Sequence, residues 1–380
     1  MMKKMLMVAS VASMIDQFNR NNILLLQEEG YEVHVAANFE NGSTFSQKRL
    51  NEFKNELTDM GITYHQINFS RSILNINQNY KAYRQLRKLL FIHKFEFIHC
   101  HSPIGGVCGR IAAHKTGVKV IYTAHGFHFF QGASLMNWLL FYPVERLLAS
   151  ITDILITLNK EDYFRAREFK AKQVAYIPSI GINIQRFKEL DISRAEKRKQ
   201  LEIEEDAFVL LSVGELSKRK NHETILEAIS ALNIPKLTYI ICGQGKLGTY
   251  LEEKAEKLGV KVIFLGYRKD INEIYVAADL FLFPSLQEGL PVALMEAMAS
   301  GLPVICSRIR GNNDLIEDNL GGYLVQPKDV EGYRKAIQRL FSDKEMRSKM
   351  GKYNQEVILD FEEVKVNAIM KGLYENITAT

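Results

Sequence analysis

Cysteine is scarce: Cys100, Cys108, Cys242 and Cys306 are the only four in 380 residues. They stand far apart, without the close spacing of a zinc site or a redox pair, and are expected to be reduced core thiols of a cytoplasmic protein. Proline numbers only 8, hydrophobic residues make up 47% and charged residues 24%, which excludes disordered and fibrous classes. No segment approaches the ~18 uninterrupted apolar residues that a membrane-spanning helix requires. Lys3 and Lys4 followed by Met5 to Met14 imitate the start of a signal peptide. The apolar stretch is short and interrupted, however, and Asp16, Gln17, Asn19, Arg20 and Asn21 stand where a cleavage site would lie, so it reads as a first core strand. Short repeats and low-complexity tracts are also missing.

What is present fits two domains, since a domain takes roughly 100–200 residues. The net charge of +5 is unevenly spread: residues 1–190 hold 23 Lys+Arg against 15 Asp+Glu, giving +8, and the rest hold 26 against 29, giving −3. A basic first half suits an anionic partner such as a nucleic acid or a phospholipid surface, and equally suits an unevenly charged solvated surface.

Short β-rich apolar runs alternate with helical patterns, the signature of parallel sheets with crossover helices. The first series runs from strand 4–9 through helix 14–29, strand 31–37, helix 80–93, strand 97–100, helix 106–116 and strand 119–123 to strand 154–157. Helix 80–93 carries Lys81, Arg84, Arg87 and Lys88 outside a stripe of Tyr83, Leu86, Leu89 and Leu90. Periodicity lapses into a charged segment, and a second αβ series starts with strand 208–213. The expected fold class is therefore α/β with two doubly wound, Rossmann-like domains. We place a first domain at 1–190, a charged linker at 191–205, a second domain at 206–360 and a terminal helix at 361–380 that packs back towards the first domain.

The most informative stretch runs from Pro284 through Glu288, Gly289, Pro291 and Glu296 to Pro303. It follows an apolar strand, so its loop lies at the carboxyl end, where ligands bind in open α/β sheets. Gly289 permits close backbone approach, and Pro291 suits the first turn of a helix. A helix N-terminus delivered there is a phosphate site. Glu288 in the loop and Glu296 one turn into the helix could address two parts of one elongated ligand, each carboxylate taking vicinal hydroxyls. The alternative is two ordinary glutamates on a helix surface.

This stretch resembles the Glu-x7-Glu signature of glycosyltransferase family 4, retaining nucleotide-sugar enzymes of the GT-B fold, whose two domains face across a cleft. The similarity extends through Ile98–His101, Tyr122–Phe129 with His125 and Gly126, Ile177–Phe187, Val213–Gly214 with Lys220–Asn221, Gly243–Gly245, and Gly266 before Asp270. Among members the chain looks most like builders of bacterial capsule, exopolysaccharide or O-antigen. The resemblance implies that Glu296 holds the donor ribose and Glu288 the donor sugar. Gly289 and the amides of Leu290 and Val292 would cradle the diphosphate, and Lys220 would neutralise it as it leaves. Gly214, Arg219 and Gly243 complete the donor-binding set, with Arg268 beside the base. Where the family commonly has arginine after the glycine, this chain has Glu215; either Arg219 or Lys218 replaces that cation, or Glu215 points elsewhere.

By the same resemblance His125 contacts the donor sugar; His99, His101 and His128 read as structural groups. No metal or other cofactor is expected, because the family is generally metal-independent and no carboxylate stands at metal spacing from the histidines. Ser10, Ser13 and Asp16 could meet acceptor hydroxyls, although helix capping also suits the serines. The implied reaction is front-face transfer with retention, from a nucleotide sugar (UDP by family habit) to a lipid-diphosphate-linked saccharide at the inner membrane face. Peripheral contact with an anionic membrane would use the basic helix and the aromatic segment 127–142 with Trp138, unless those aromatics are core. Nucleic acid is not expected, since no recognised module is present. A nicotinamide dehydrogenase is disfavoured by a first turn without Gly-x-Gly-x-x-Gly. A GT-B epimerase and a non-catalytic nucleotide-sugar binder remain as rivals.

Overall fold

The computed structural model describes residues 3–41, 46–178 and 181–379. It divides into two compact units, Met1–Ile180 with Val364–Thr380, and Gly181–Glu363.

The first unit is built on a seven-stranded parallel sheet. Its strands are β1 (Lys3–Val11), β2 (Tyr31–Asn38), β3 (Thr63–Gln66), β4 (Phe97–His101), β5 (Lys119–Ala124), β6 (Ile154–Thr157) and β7 (Gln173–Tyr176), in the order β3-β2-β1-β4-β5-β6-β7. Met5 to Ala9 of β1 are fully buried, so the strand reads as an apolar run, as expected where helices cover both faces of a parallel sheet. One face carries Leu6, Val8, Ile98, Cys100, Val120 and Leu155 in a single core cluster. Helix Glu363–Ala379 closes this unit, its Tyr374 hydroxyl 2.9 Å from His99 Nδ1 and the Ile377 carbonyl accepting from Lys119 at 2.9 Å.

The second unit has a six-stranded parallel sheet of β8 (Phe208–Val213), β9 (Leu237–Cys242), β10 (Val262–Gly266), β11 (Leu280–Phe283), β12 (Val304–Ser307) and β13 (Gly322–Val325), ordered β10-β9-β8-β11-β12-β13. Alternate residues feed separate cores, Val209, Leu211, Phe281 and Phe283 on one face and Phe208, Leu210, Leu280 and Leu282 on the other. In each sheet the order reverses beside the first strand of the unit, between β1 and β4 and between β8 and β11. Loops at the carboxyl ends of those pairs flank the ligand crevice of a doubly wound sheet.

Several expectations change. Segment 191–205 is no linker: it lies inside the second unit and holds helix Arg194–Gln200, capped by Ser193 and Glu196. Lys197, 2% exposed, pairs with Asp270 at 2.6 Å and Glu273 at 2.7 Å, and Arg198 pairs with Asp279 at 2.9 Å. Its charges look like a solvated run only because their acidic partners lie more than seventy positions away in sequence. The division between units falls instead beside Gly181, and positions 179 and 180 of the Ile177–Phe187 segment lie outside the described residues. The single helix expected over 14–29 is broken at Asn19 into Ala12–Phe18 and Arg20–Glu28, because the Asn19 side chain donates to the Met14 carbonyl and competes with the helix ladder.

The aromatic segment splits as well. Phe127 and Phe129 are buried, and Trp138, Phe141 and Tyr142 pack on the first-unit core, so the aromatics are core. Helix Leu135–Ala149 exposes aliphatic residues instead, with Leu135 81%, Leu139 74% and Leu147 71% accessible. No described helix is long and apolar enough to cross a membrane.

Candidate active site

In the second unit, the loops after β8 and β11 meet at the point where strand order reverses. The β8 loop is pinned to the β11 loop by Leu286 N donating to the Arg219 carbonyl (2.8 Å) and Asn221 Nδ2 donating to the Pro284 carbonyl (3.1 Å). These bonds bring Lys220 Nζ to 2.8 Å from Glu288 Oε1, both side chains about nine-tenths buried at 11% and 9% accessible. Arg219 reaches the same oxygen at 2.8 Å from the solvent side. Lys220 also lies 4.4 Å from the Phe283 ring centre. Burial pulls the Lys220 ammonium below its ordinary pKa, opposed by the Glu288 carboxylate.

Gly214 and Gly243 shape the floor. Gly214 N donates to the Cys242 carbonyl, and a Cβ on Gly243 (φ +151°) would stand 1.8 Å from the Gly214 oxygen. Only glycine allows that approach of the β8 and β9 loops. Arg219 is the cation set beside Lys220, and Glu215 is exposed.

Helix Val292–Ala299 has Pro291 as its N-cap, leaving its first-turn amides without intrahelical partners. Loop residues Gly289 and Leu290 are half-buried, and Arg310 Nε donates to the Glu288 carbonyl at 3.1 Å. Glu296 is half-buried on the same helix, Oε2 3.0 Å from the Tyr275 hydroxyl. Burial raises its carboxyl pKa, countered by that hydroxyl and by the charge of Arg186. Arg268 has its guanidinium fork on Asp270, at 2.8 and 2.6 Å.

In the first unit His125 follows β5, its Nε2 3.0 Å from His101 Nδ1 and its ring 5.6 Å from that of Phe18. Burial lowers its pKa to about 4, so the imidazole is neutral at physiological pH. His101 and His99 run inward from it, His99 bridging Thr123 and Tyr374. The proposed acceptor-side residues are engaged internally. Ser10 Oγ is 2.5 Å from Ser102 Oγ, Ser13 is 4% exposed, and both Asp16 oxygens lie 2.9 Å from Arg49 Nη2. Asp16 belongs to an ion-pair cluster with Arg20, Arg49 and Glu56, which takes up the carboxylate that sequence reading offered to an acceptor.

Residues 20–186 match the family described as Glycosyltransferase Family 4, and residues 193–357 that described as Glycosyl transferases group 1. EpsD of Bacillus subtilis (strain 168), named as a glycosyltransferase, is 34% identical over 98% of this chain and 97% of its own. The chain belongs to glycosyltransferase family 4. An Escherichia coli relative named UDP-Gal:alpha-D-GlcNAc-diphosphoundecaprenol alpha-1,3-galactosyltransferase is 31% identical over 79% of this chain and 80% of its own. Among solved structures, HepE of Anabaena in complex with UDP superposes with a TM-score of 0.80 at 20% identity, covering 99% of this chain and all of its own. The fold is GT-B.

For this family 4 glycosyltransferase the resemblance gave Lys220 and Glu288 separate roles at the donor and offered Arg219 or Lys218 as the extra cation; the structure brings Lys220, Arg219 and Glu288 into contact. It also adds residues that the motif did not flag: Tyr275 against Glu296 and Arg310 on the Glu288 backbone. Arg310 had a weak signal, standing in Arg308-Ile-Arg310-Gly311 directly after an apolar strand. Tyr275 had none, being one more apolar-face residue of helix Ile271–Ala277. All four cysteines are free and buried, and burial pushes the Cys108 and Cys242 thiols up to about 12. Among the described residues no group of His, Cys, Asp and Glu could hold a metal ion.

Proposed function

We propose that this glycosyltransferase moves a hexosyl or N-acetylhexosaminyl group, with retention, from a UDP-sugar to a lipid-diphosphate-linked saccharide during assembly of a bacterial surface polysaccharide. The observation that carries the reading is the buried Lys220–Glu288 pair at the switch point of the second sheet, with Glu296 one turn into the helix that follows. Helix Val292–Ala299 offers its amides to the diphosphate, Glu296 takes the ribose hydroxyls and Glu288 a hydroxyl of the donor sugar. In the transfer step the anomeric carbon's bond to the diphosphate oxygen breaks and its bond to the acceptor oxygen forms on the same face. The electron pair leaves with UDP, and the acceptor proton passes to the departing phosphate oxygen. Lys220 and Arg219 take the developing negative charge, so the reading includes no metal cofactor. Neutral His125 donates or accepts a hydrogen bond without adding a positive charge beside an oxocarbenium-like centre.

The name of the galactosyltransferase relative, which acts on a diphospho-lipid sugar, supports the substrate class, and that of EpsD supports the transferase activity. Peripheral membrane contact fits the exposed aliphatic face of helix Leu135–Ala149, with the basic helix Ile76–His93 as its electrostatic partner. The test is thermal unfolding with UDP, GDP, ADP and their sugar conjugates, repeated on Glu296→Ala, followed by transfer to lipid-linked acceptors with EDTA present. A UDP-selective rise, ~2.7 kcal/mol at a hundredfold excess over Kd, that disappears in the variant is expected. Stabilisation by no nucleotide, or turnover of the nucleotide sugar without an acceptor product, refutes the proposal.

A further inference from the structure

Helix Leu135–Ala149 has an inner face as unusual as its outer one. It closes a cavity of about 230 Å3 within the first unit, walled by Met14, Tyr122, His125, His128, Phe141 and Glu145 among others. The cavity opens at the carboxyl ends of β4 and β5, the ligand-binding edge of such a sheet. It is too large for one or two ordered waters, each of which takes about 30 Å3, and smaller than the roughly 300–1,000 Å3 of sites for drug-sized ligands. One sugar ring is the scale it suits.

One of its lining residues, Glu145, belongs to a buried ion pair whose other member, Arg110, lies behind the wall. Glu145 is 8% exposed and Arg110 fully buried, with Arg110 Nη1 2.8 Å from Glu145 Oε2. The guanidinium lies 3.9 Å from the Tyr122 ring centre, and its Nε donates to the Gly106 carbonyl. The remaining hydrogen bonds are missing. Arg110 Nη1 and Nη2 and Glu145 Oε2 have no partner in hydrogen-bonding geometry, and the Tyr122 hydroxyl reaches Glu145 Oε1 only at 3.4 Å. A buried ion pair offsets its desolvation only when its other lone pairs and protons are satisfied. An under-satisfied pair whose Glu145 carboxylate lines the cavity therefore points to a ligand that supplies hydrogen-bond donors. The pair is neutral overall, which suits hydroxyls better than a phosphate. Phe141, stacked on His128 with ring centres 4.4 Å apart, offers an apolar surface for the C–H face of a ring.

We propose that this cavity is the subsite for the terminal sugar of the acceptor and that Glu145, paired with Arg110, selects it through its hydroxyls. This rests on the transferase reading above, and it replaces Ser10, Ser13 and Asp16 as the acceptor-recognising set. The helix then serves both halves of an amphipathic acceptor, its inner face the sugar and its outer face the side from which a lipid arrives.

The test uses the full-length enzyme and lipid diphosphates bearing glucose, galactose, N-acetylglucosamine or N-acetylgalactosamine, taking the acceptor that wild type glycosylates best. Glu145→Gln removes the charge, and Met14→Phe adds bulk at another lining residue without replacing either member of the ion pair. Expected are a rise of about tenfold or more in acceptor KM for both variants and an unchanged UDP affinity by calorimetry. Trp138, the only tryptophan, packs on the cavity residue Phe129 with ring centres 5.7 Å apart. Its emission should shift on adding acceptor to wild type and not to the variants. If wild type transfers sugar while acceptor KM stays within twofold in Met14→Phe, the subsite is overturned and the transferase reading stands. A wild type that binds no UDP, or binds it and glycosylates no acceptor, overturns both.

Discussion

Replacing Lys220 by methionine removes one charge from the centre of the donor site, and with it the ammonium over the Phe283 ring, while keeping most of the aliphatic stem. Two opposing effects follow. The neighbouring Glu288 loses its 2.8 Å partner but keeps Arg219 at the same distance, so the cost to folding stays well below the 3–5 kcal/mol of an orphaned buried charge, at about 1–2 kcal/mol. Transition-state stabilisation loses more. A unit charge about 4 Å from a developing phosphate charge, at an effective dielectric constant near 20, is worth about 4 kcal/mol. Removal of one preorganised stabilising donor elsewhere costs about 2.7–4 kcal/mol, which is 10²–10³ in kcat. Lys220→Met should thus lower kcat by roughly 10²–10³, with a much smaller change in unfolding free energy. The assay is steady-state release of UDP in the presence of acceptor, paired with urea unfolding. A kcat within about threefold of wild type in a folded protein would refute the electrostatic role, because so small a change corresponds to less than about 1 kcal/mol.

Glu296 carries a carboxyl whose pKa is raised by burial, and ribose hydroxyls need its ionised form; UDP affinity should therefore weaken on acidification at a pH above the ordinary carboxylate value of 4.5, and calorimetry across that range checks it. Gly243→Ala should cost about 3 kcal/mol or more in denaturant unfolding, since its Cβ would meet the Gly214 oxygen in a backbone conformation that alanine resists. Buried His99 and His222 have their pKa values lowered to about 3 and about 4 from 6.5, so below 6.5 the unfolded chain binds protons that the folded one refuses. Stability should fall progressively from pH 6.5 towards about 4, by up to ~1.4 kcal/mol per pH unit for each histidine. A melting temperature that stays flat down to about pH 5 would contradict the buried, neutral state assigned to these rings.

Two parallel-sheet domains, and the loop from Pro284 to Glu296 at a strand's carboxyl end, were legible in the sequence because they depend on local pattern. Apolar runs such as Met5 to Ala9 and Leu280 to Phe283 carry their strand character in their own residues. A loop that follows such a run inherits its place at the ligand edge. Partnership is different. Lys220 and Glu288 lie 68 positions apart, Arg49 and Asp16 lie 33, and nothing in either local window announces the other. Tertiary structure therefore decided that residues 191–205 belong to the second unit, with Lys197 and Arg198 buried in ion pairs, and that Asp16 is bound up in a salt-bridge cluster. It also decided that helix Leu135–Ala149 turns Trp138, Phe141 and Glu145 inward and Leu135, Leu139 and Leu147 outward. The physical reason is that secondary structure follows the spacing of side chains along the chain. The free energy of a charge or an exposed leucine depends on what the fold sets against it.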